Sequence, residues 1–253
     1  IYIDFLVKDL WIKGSFIYLL EDEYTSISKD FDAMNITIQN SQLYVLQHYN
    51  HFIILATRFS LLTLRNSKIF FSPIVNASLV FEISSGYKSR YHEISFDKVE
   101  CLAIKYKFAM LSDVSNNEYF LFHLYGKSVK NFSTVNCLFM LEWSGYKVLF
   151  YGNIISHLIV HNCKFFSNRF FNRDSSYFYI SNFFSFKKPT QDFPLINIII
   201  SDSAISLNRV SSGGFFAFNI SNDQRNLNFV LHKTTISSNF AATKGGVFFF
   251  IFI

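Results

Sequence analysis

The sequence predicts an all-β chain wound as a right-handed parallel β-helix, a solenoid of short strands with irregular loops between its coils. Three observations carry that expectation. An eight-residue frame recurs along the chain, the composition favours strands, and two late copies of the frame run into a glycine pair followed by apolar residues.

The frame is plainest in "LIVHNCKF" at 158–165, with apolar residues at the first and third places, a small residue at the sixth and an apolar one at the eighth. Places one and three flank an outward residue, as a short strand with one buried face requires. Two small or polar residues then make a bend, and the eighth place points back into the core. In chain order the frame fits "ITIQNSQL" from 36, "LTLRNSKI" from 62 and "ISFDKVEC" from 94. A degraded copy, "KNFSTVNC", starts at 130, and "IIISDSAI" and "FVLHKTTI" follow the 158 copy from 198 and 229. Successive starts lie 26, 32, 36, 28, 40 and 31 residues apart, each the length of one supersecondary unit. One such unit cannot bury its apolar face alone; stacked units give a continuous column of like residues. Residues 36–253 are read as coils, most recognisable over 158–250, and 1–35 are left unplaced as an N-terminal segment or cap.

Composition points the same way. The chain holds 33 Phe and 14 Tyr with only 3 Pro and 9 Gly, and Phe, Tyr and Ile suit a pleated, half-buried surface. Phe, Ile, Asn, Lys and Tyr also share A/T-rich codons, so the aromatic count alone does not mark a binding surface. No segment holds a helical i, i+3, i+4, i+7 stripe for three turns. The Asn-Gly and Asp-Gly dipeptides of a hairpin sandwich are missing as well.

Three units add an Asn three residues after the eighth place: Asn168, Asn208 and Asn239. Stacked Asn side chains can satisfy one another in a ladder, and Asn tolerates the left-handed backbone that a bend needs. In the last two units a glycine pair follows, Gly213-Gly214 and Gly245-Gly246, ahead of an apolar run. Glycine there supplies positive φ or close approach between coils. With "HNCKFFSN", "SDSAISLNRVSSGGFFAF" and "HKTTISSNFAATKGGVFFF", the chain resembles the double-glycine repeats of polymorphic outer-membrane proteins. It equally resembles large repeat-bearing surface proteins of single-celled eukaryotes. That resemblance implies the pectin-lyase-like parallel β-helix and a place at the cell surface. Leucine-rich repeats are the rival, since "ISHLIVHNCKF" also fits LxxLxLxxCxL, but their period is shorter and regular.

Charge and cysteine content bound the function. Residues 1–126 carry 11 Lys+Arg against 13 Asp+Glu, and 127–253 carry 12 against 5. The cations of the basic half are scattered, with no nucleic-acid module around them, so no nucleic-acid partner is expected. Cys101, Cys137 and Cys163 form no CxxC and are too few for a disulfide framework. Cys101 and Cys137 both fall at the eighth place of neighbouring frames, which makes them the candidate pair if any disulfide forms; packing as small hydrophobes is the simpler reading. No run of 18 apolar residues occurs. The chain reads as a section of something longer, and a membrane anchor outside it fits that expectation.

No catalytic, cofactor or metal site is legible. Glycoside hydrolysis needs two carboxylates roughly 5–10 Å apart. The carboxylates of the second half, Glu142, Asp174, Asp192, Asp202 and Asp223, are isolated, and only Asp202 lies in the frame. The "EDE" run at 21–23 reads as a solvated loop. His157 and His161 sit about 13 Å apart on a strand, too far for one ion, and Cys163 reads as a core residue. Four sequons, Asn35, Asn76, Asn131 and Asn219, are candidate glycan acceptors in an exported chain. The aromatic stretch "SSYFYISNFFSFKK" reads as a loop against the coil's flank. The expectation is therefore a non-catalytic structural or adhesive scaffold, extracellular or at the cell surface, displaying loops to a protein or carbohydrate. The alternatives are a carbohydrate-active β-helix enzyme and an intracellular leucine-rich-repeat interaction protein.

Overall fold

Every strand pairing in the computed structural model is parallel, and each strand is paired to the one a full turn of chain away. The structure describes residues 2–13, 17–19, 33–45, 54–56, 61–71, 81–85, 92–103, 120–126, 129–140, 148–153, 155–167, 176–182, 196–210, 216–220, 227–241 and 247–252. These form three eight-stranded sheets and one short two-stranded sheet. Each coil contributes one strand to each large sheet, and the eight coils repeat that path in sequence order. At the usual strand spacing the stack is about 34 Å long. The chain is a parallel β-helix. Three sheets per turn exclude a leucine-rich repeat, which builds one sheet backed by helical or 3₁₀ segments.

The frame describes the passage from the first sheet to the second. In the second coil, Ala33–Gln39 lies in the first sheet and Gln42–Val45 in the second. Ile36, Ile38 and Leu43 point inward and are fully buried. The same three places in the third coil are Leu62, Leu64 and Ile69, and in the seventh Ile198, Ile200 and Ile205. Like residues therefore stack coil on coil in register, Ile36 opposite Leu62 and Leu43 opposite Ile69. Phe139 and Phe165 extend this to aromatics, with stacked rings 4.9 Å apart and nearly parallel.

The fifth place makes the bend. Asp9, Asn40, Asn66, Lys98, Asn136, Asn162, Asp202 and Lys233 all have φ between 44° and 56°. Asn and Asp enter this left-handed region more readily than other side chains, and they hold six of the eight bends. The sixth place turns back inward, and its small side chain has a specific task. Ser41 Oγ donates to the Gln39 carbonyl at 2.8 Å, Ser67 Oγ to Arg65 at 2.8 Å and Ser203 Oγ to Ser201 at 2.7 Å. The Cys137 and Cys163 thiols make the same bond, to the carbonyls of Val135 and His161. Where the sixth residue is Ser, its oxygen also accepts the backbone N–H of the neighbouring coil, Ser41 N to Ser67 Oγ at 3.2 Å and Cys163 N to Ser203 Oγ at 3.0 Å. At those corners the Ser oxygen takes the place of the ladder acceptor lost where the strands break.

Four expectations are corrected or extended. The degraded copy begins at Phe132, not at Lys130: Phe132 pairs with Ile94 and Leu158, and the bend falls on Asn136. Lys130 is the extra residue at a register shift against the fourth coil. Cys137 is consequently at the sixth place while Cys101 is at the eighth, opposite Phe139. Cys101 and Cys137 are not equivalent, and the structure holds all three cysteines in the reduced form. Within 1–35, Tyr2–Lys8, Trp11–Lys13 and Ile17–Leu19 form the first coil, so the described part of that segment belongs to the stack. In the aromatic stretch read as a loop, Ser176–Asn182 is a strand of the third sheet.

The second bend is built around the predicted Asn residues, with one change. Positive φ belongs to the residue before each of them, Ser167, Leu207 and Ser238. Asn208 and Asn239 instead form the ladder: Asn208 Nδ2 donates to Asn239 Oδ1 at 2.8 Å and to the Phe165 carbonyl at 2.9 Å. Asn239 Nδ2 donates to the Ile205 carbonyl at 2.7 Å. After this bend the short strands Arg209–Val210 and Phe240–Ala241 pair, with the Arg209 guanidinium 5.1 Å over the Phe240 ring. Asn168, Gly213, Gly214, Gly245 and Gly246 lie outside the described residues. The runs just beyond the two glycine pairs, Phe216–Ile220 and Phe248–Phe252, are in-register neighbours in the third sheet.

Candidate functional site

The outward places of the first sheet form three parallel columns, and their polar members bond mostly to one another. Asn131 Nδ2 donates to Glu93 Oε1 at 2.8 Å. Further along the same column Asn197 Nδ2 lies 3.2 Å from His157 Nδ1, and Asn228 Nδ2 donates to Asn197 Oδ1 at 3.0 Å. On the far side of the sheet, Arg65 pairs with Asp97 at 3.4 Å. At the bend, Asn40 donates to Asp9 at 3.0 Å and Asn162 to Asn136 at 2.7 Å. In the second sheet Lys68 and Glu100 pair at 2.9 Å. Exposed ion pairs of this kind contribute at most about 1 kcal/mol each. Their effect is chiefly to fix side chains along the coil axis.

One cluster joins hydroxyl, imidazole and carboxylate. His161 Nδ1 lies 2.9 Å from Ser201 Oγ and 3.4 Å from Asp202 Oδ2. A nucleophile relay needs the hydroxyl on one ring nitrogen and the carboxylate on the other. Here both approach the same nitrogen, so the three groups are not arranged as that relay. His157 and His161 lie four residues apart on one strand, Ile155–His161, as the spacing required. Among the described residues no group of three His, Cys, Asp or Glu could hold a metal ion. Glu142, Asp174, Asp192 and Asp223, and the run at 21–23, lie outside the described residues.

The sequons fall on strands where they are described. Asn35 belongs to Ala33–Gln39 and is half-buried on the outward face. Asn131 belongs to Val129–Val135, bonded to Glu93 as above, and Asn219 lies in Phe216–Ile220. Asn76 lies outside the described residues.

A feature that the eight-place frame stopped short of lies one residue further on. The ninth place points outward from the second sheet, and in coils two to six it holds Tyr44, Phe70, Leu102, Met140 and Phe166. These residues stand in line by register or by their place in successive coils. Four are half-buried and Phe166 is 41% exposed. The rings of Tyr44 and Phe70 stack on each other at 4.7 Å and 17°. Their faces are engaged with each other, so the edges are what the surface presents. Reading the frame to nine places would have revealed this stripe.

The thiols are buried in the opposite direction, at the corner of the core. Burial pushes the Cys101 thiol well above its ordinary value, with a smaller contribution from Cys163. Cys137 is likewise held above its ordinary value, by its interaction with the Cys163 thiol and then by burial. No known protein family, curated protein or solved structure matches this chain.

Proposed function

We propose that the chain is a section of a non-catalytic scaffold in a cell-surface or exported repeat protein. Its stacked coil would hold connecting loops out to a protein or carbohydrate partner. The observation that carries this reading is the stack of parallel coils, in register apart from the one shift at Lys130. Eight coils follow one path through three sheets, and outward polar side chains on the described faces bond to their counterparts on the next coil. Such a surface is rigid along its length. Coil length varies from 26 residues to 40 across single steps of the stack, while the strand-bend-strand passage keeps a constant form. The variation therefore sits in the connections to and from the third sheet, where loops can differ without disturbing the stack. The resemblance to double-glycine surface repeats adds the location, and the four sequons suit an exported chain.

The test is a binding and turnover experiment on the purified chain. Immobilised protein is exposed to neutral and acidic polysaccharides and to intact cell surfaces, and soluble sugar products are measured in parallel. The expected result is retention of a cell-surface protein or carbohydrate without product release. Release of shortened or unsaturated sugars overturns the non-catalytic reading in favour of a carbohydrate-active enzyme. For location, epitope-tagged full-length protein is labelled on unpermeabilised cells. Labelling only after permeabilisation overturns the surface assignment.

A further inference from the structure

The corrected frame places Cys137 and Cys163 at the sixth place of consecutive coils. Register runs Val135 to His161 on one side of them and Leu138 to Lys164 on the other, so the two cysteines stand directly opposite. Backbone bonds clamp the pair on both flanks, Asn136 N to His161 O at 3.0 Å and Lys164 N to Cys137 O at 2.8 Å. One strand spacing separates the backbones by about 4.8 Å, inside the roughly 4.4–6.8 Å that a disulfide spans between Cα atoms. The Cys163 thiol also leans toward the fifth coil: its sulfur lies 3.2 Å from the Thr134 carbonyl and 3.6 Å from Thr134 Oγ1. The Cys137 sulfur in turn lies 3.2 Å from the Val135 carbonyl and 3.5 Å from the Phe96 carbonyl of the fourth coil. Cys101 has no such counterpart, being opposite Ile69 and Phe139.

We propose that Cys137 and Cys163 close an intramolecular disulfide that staples the fifth and sixth coils, leaving Cys101 as the free thiol. The oxidant is a small-molecule disulfide such as glutathione disulfide. Cys163 attacks one of its sulfurs as the thiolate and expels one glutathione thiol, giving a mixed disulfide. Cys137 then attacks the Cys163 sulfur and expels the second. The pair loses two protons and two electrons, and the oxidant becomes two thiols. Either thiol can make the first attack while both are exposed in the unfinished stack. Both sulfurs are buried in the finished stack, Cys137 at 2% exposure and Cys163 at 0%. The exchange therefore belongs to folding, before the sixth coil closes over the fifth. The inference does not rest on the scaffold reading, since it concerns only the chain's own thiols.

The test uses the whole chain. Reduced, denatured protein is refolded in a glutathione redox buffer, quenched with an alkylating agent under denaturing conditions and analysed by intact mass and peptide mapping. The expected product has the mass of the reduced chain less two hydrogens plus a single alkyl addition, at Cys101. Its digest contains one linked peptide joining Cys137 to Cys163. Cys101→Ser keeps that link and Cys163→Ser abolishes it. Relative to the reduced protein, the linked form melts higher by roughly 5–10 °C, given the loop it closes. Three alkylated thiols in folded wild-type protein, or a link that includes Cys101, overturns the proposal without any variant. A link that leaves the melting temperature unchanged overturns its role as a staple.

Discussion

Asn208 is 2% exposed, yet it carries an amide that water would otherwise solvate. Its Nδ2 group is satisfied by the Phe165 carbonyl on the preceding coil and by Asn239 Oδ1 on the next. Asn208→Ala leaves the Phe165 carbonyl short of a donor in a buried place, which costs about 1–3 kcal/mol. Asn208→Asp is expected to cost more at neutral pH, because a carboxylate would face two oxygen acceptors without a proton to share. Urea denaturation of the two variants against wild type checks both the size and the order. The ladder was legible from the sequence because Asn recurs three residues after the eighth place. The left-handed residue was not, since Ser167, Leu207 and Ser238 are no favourites of that region. Cys101 supplies a pH test at the same scale. Its folded-state thiol is held above the ordinary value of 9.0 by burial, whereas in the unfolded chain it ionises near that value. The resulting stability is complete below pH 9 and is lost as pH rises above it, by about 1.4 kcal/mol per pH unit. Cys101→Ala should flatten the decline between pH 9 and 10 relative to wild type, measured by chemical denaturation at each pH.

At the scale of one element, the bend decides how the frame is read. A strand alternates with a period of two, so sliding a frame by two residues keeps the same side chains facing inward. That is why "KNFSTVNC" passed for a degraded copy. Its third place then fell on Phe132 and its eighth on Cys137, while the true third place holds a buried Thr134 instead of an apolar residue. Only the position of the bend, fixed by the φ of 55° at Asn136, distinguishes the two. The first coil escaped notice for a related reason. Leu10 occupies the sixth place where a small residue is expected, and it is 44% exposed instead of tucked into the corner. Leu207 tests the bend energetically. It holds φ at 56° with its side chain half in solvent, and the left-handed region costs a non-glycine residue about 1–2 kcal/mol. Leu207→Gly should stabilise the protein by up to about 1 kcal/mol, the remainder being offset by the greater freedom of glycine in the unfolded chain. The contrasting change, Asn66→Val, forces a β-branched side chain into a φ of 47° and should destabilise. Thermal melts of both, run side by side, give the two signs.

For the whole molecule, coil-to-coil stacking makes the depth of a residue depend on how many neighbours its column provides. The eighth-place column runs Leu43, Ile69, Cys101, Phe139, Phe165 and Ile205, each fully buried, and then Ile236, which is 38% exposed. The third-place column does the same, from Ile200 at 0% to Leu231 at 43%. Burial here is a property of position in the stack, because Ile205 and Ile236 are the same residue type at the same place of consecutive frames. Sequence shows that equivalence but not the difference, since nothing in "SDSAI" or "HKTTI" says which of them has a coil on both sides. The difference has an energetic consequence. Ile205→Ala removes methyl groups from a site packed above and below, and should cost about 2–5 kcal/mol. Ile236→Ala in this chain removes the same atoms from a site already open to water, where the transfer contribution shrinks and no closed cavity remains. It should cost about 1 kcal/mol or less. Because the two residues are opposite in register and share one coil-coil interface, the double variant should lose less than the sum of the single losses. Chemical denaturation of the single and double variants measures both the ratio and the sum. A cost at Ile236 equal to that at Ile205 would show that the eighth coil is covered in solution, by a second copy of the chain or by another surface.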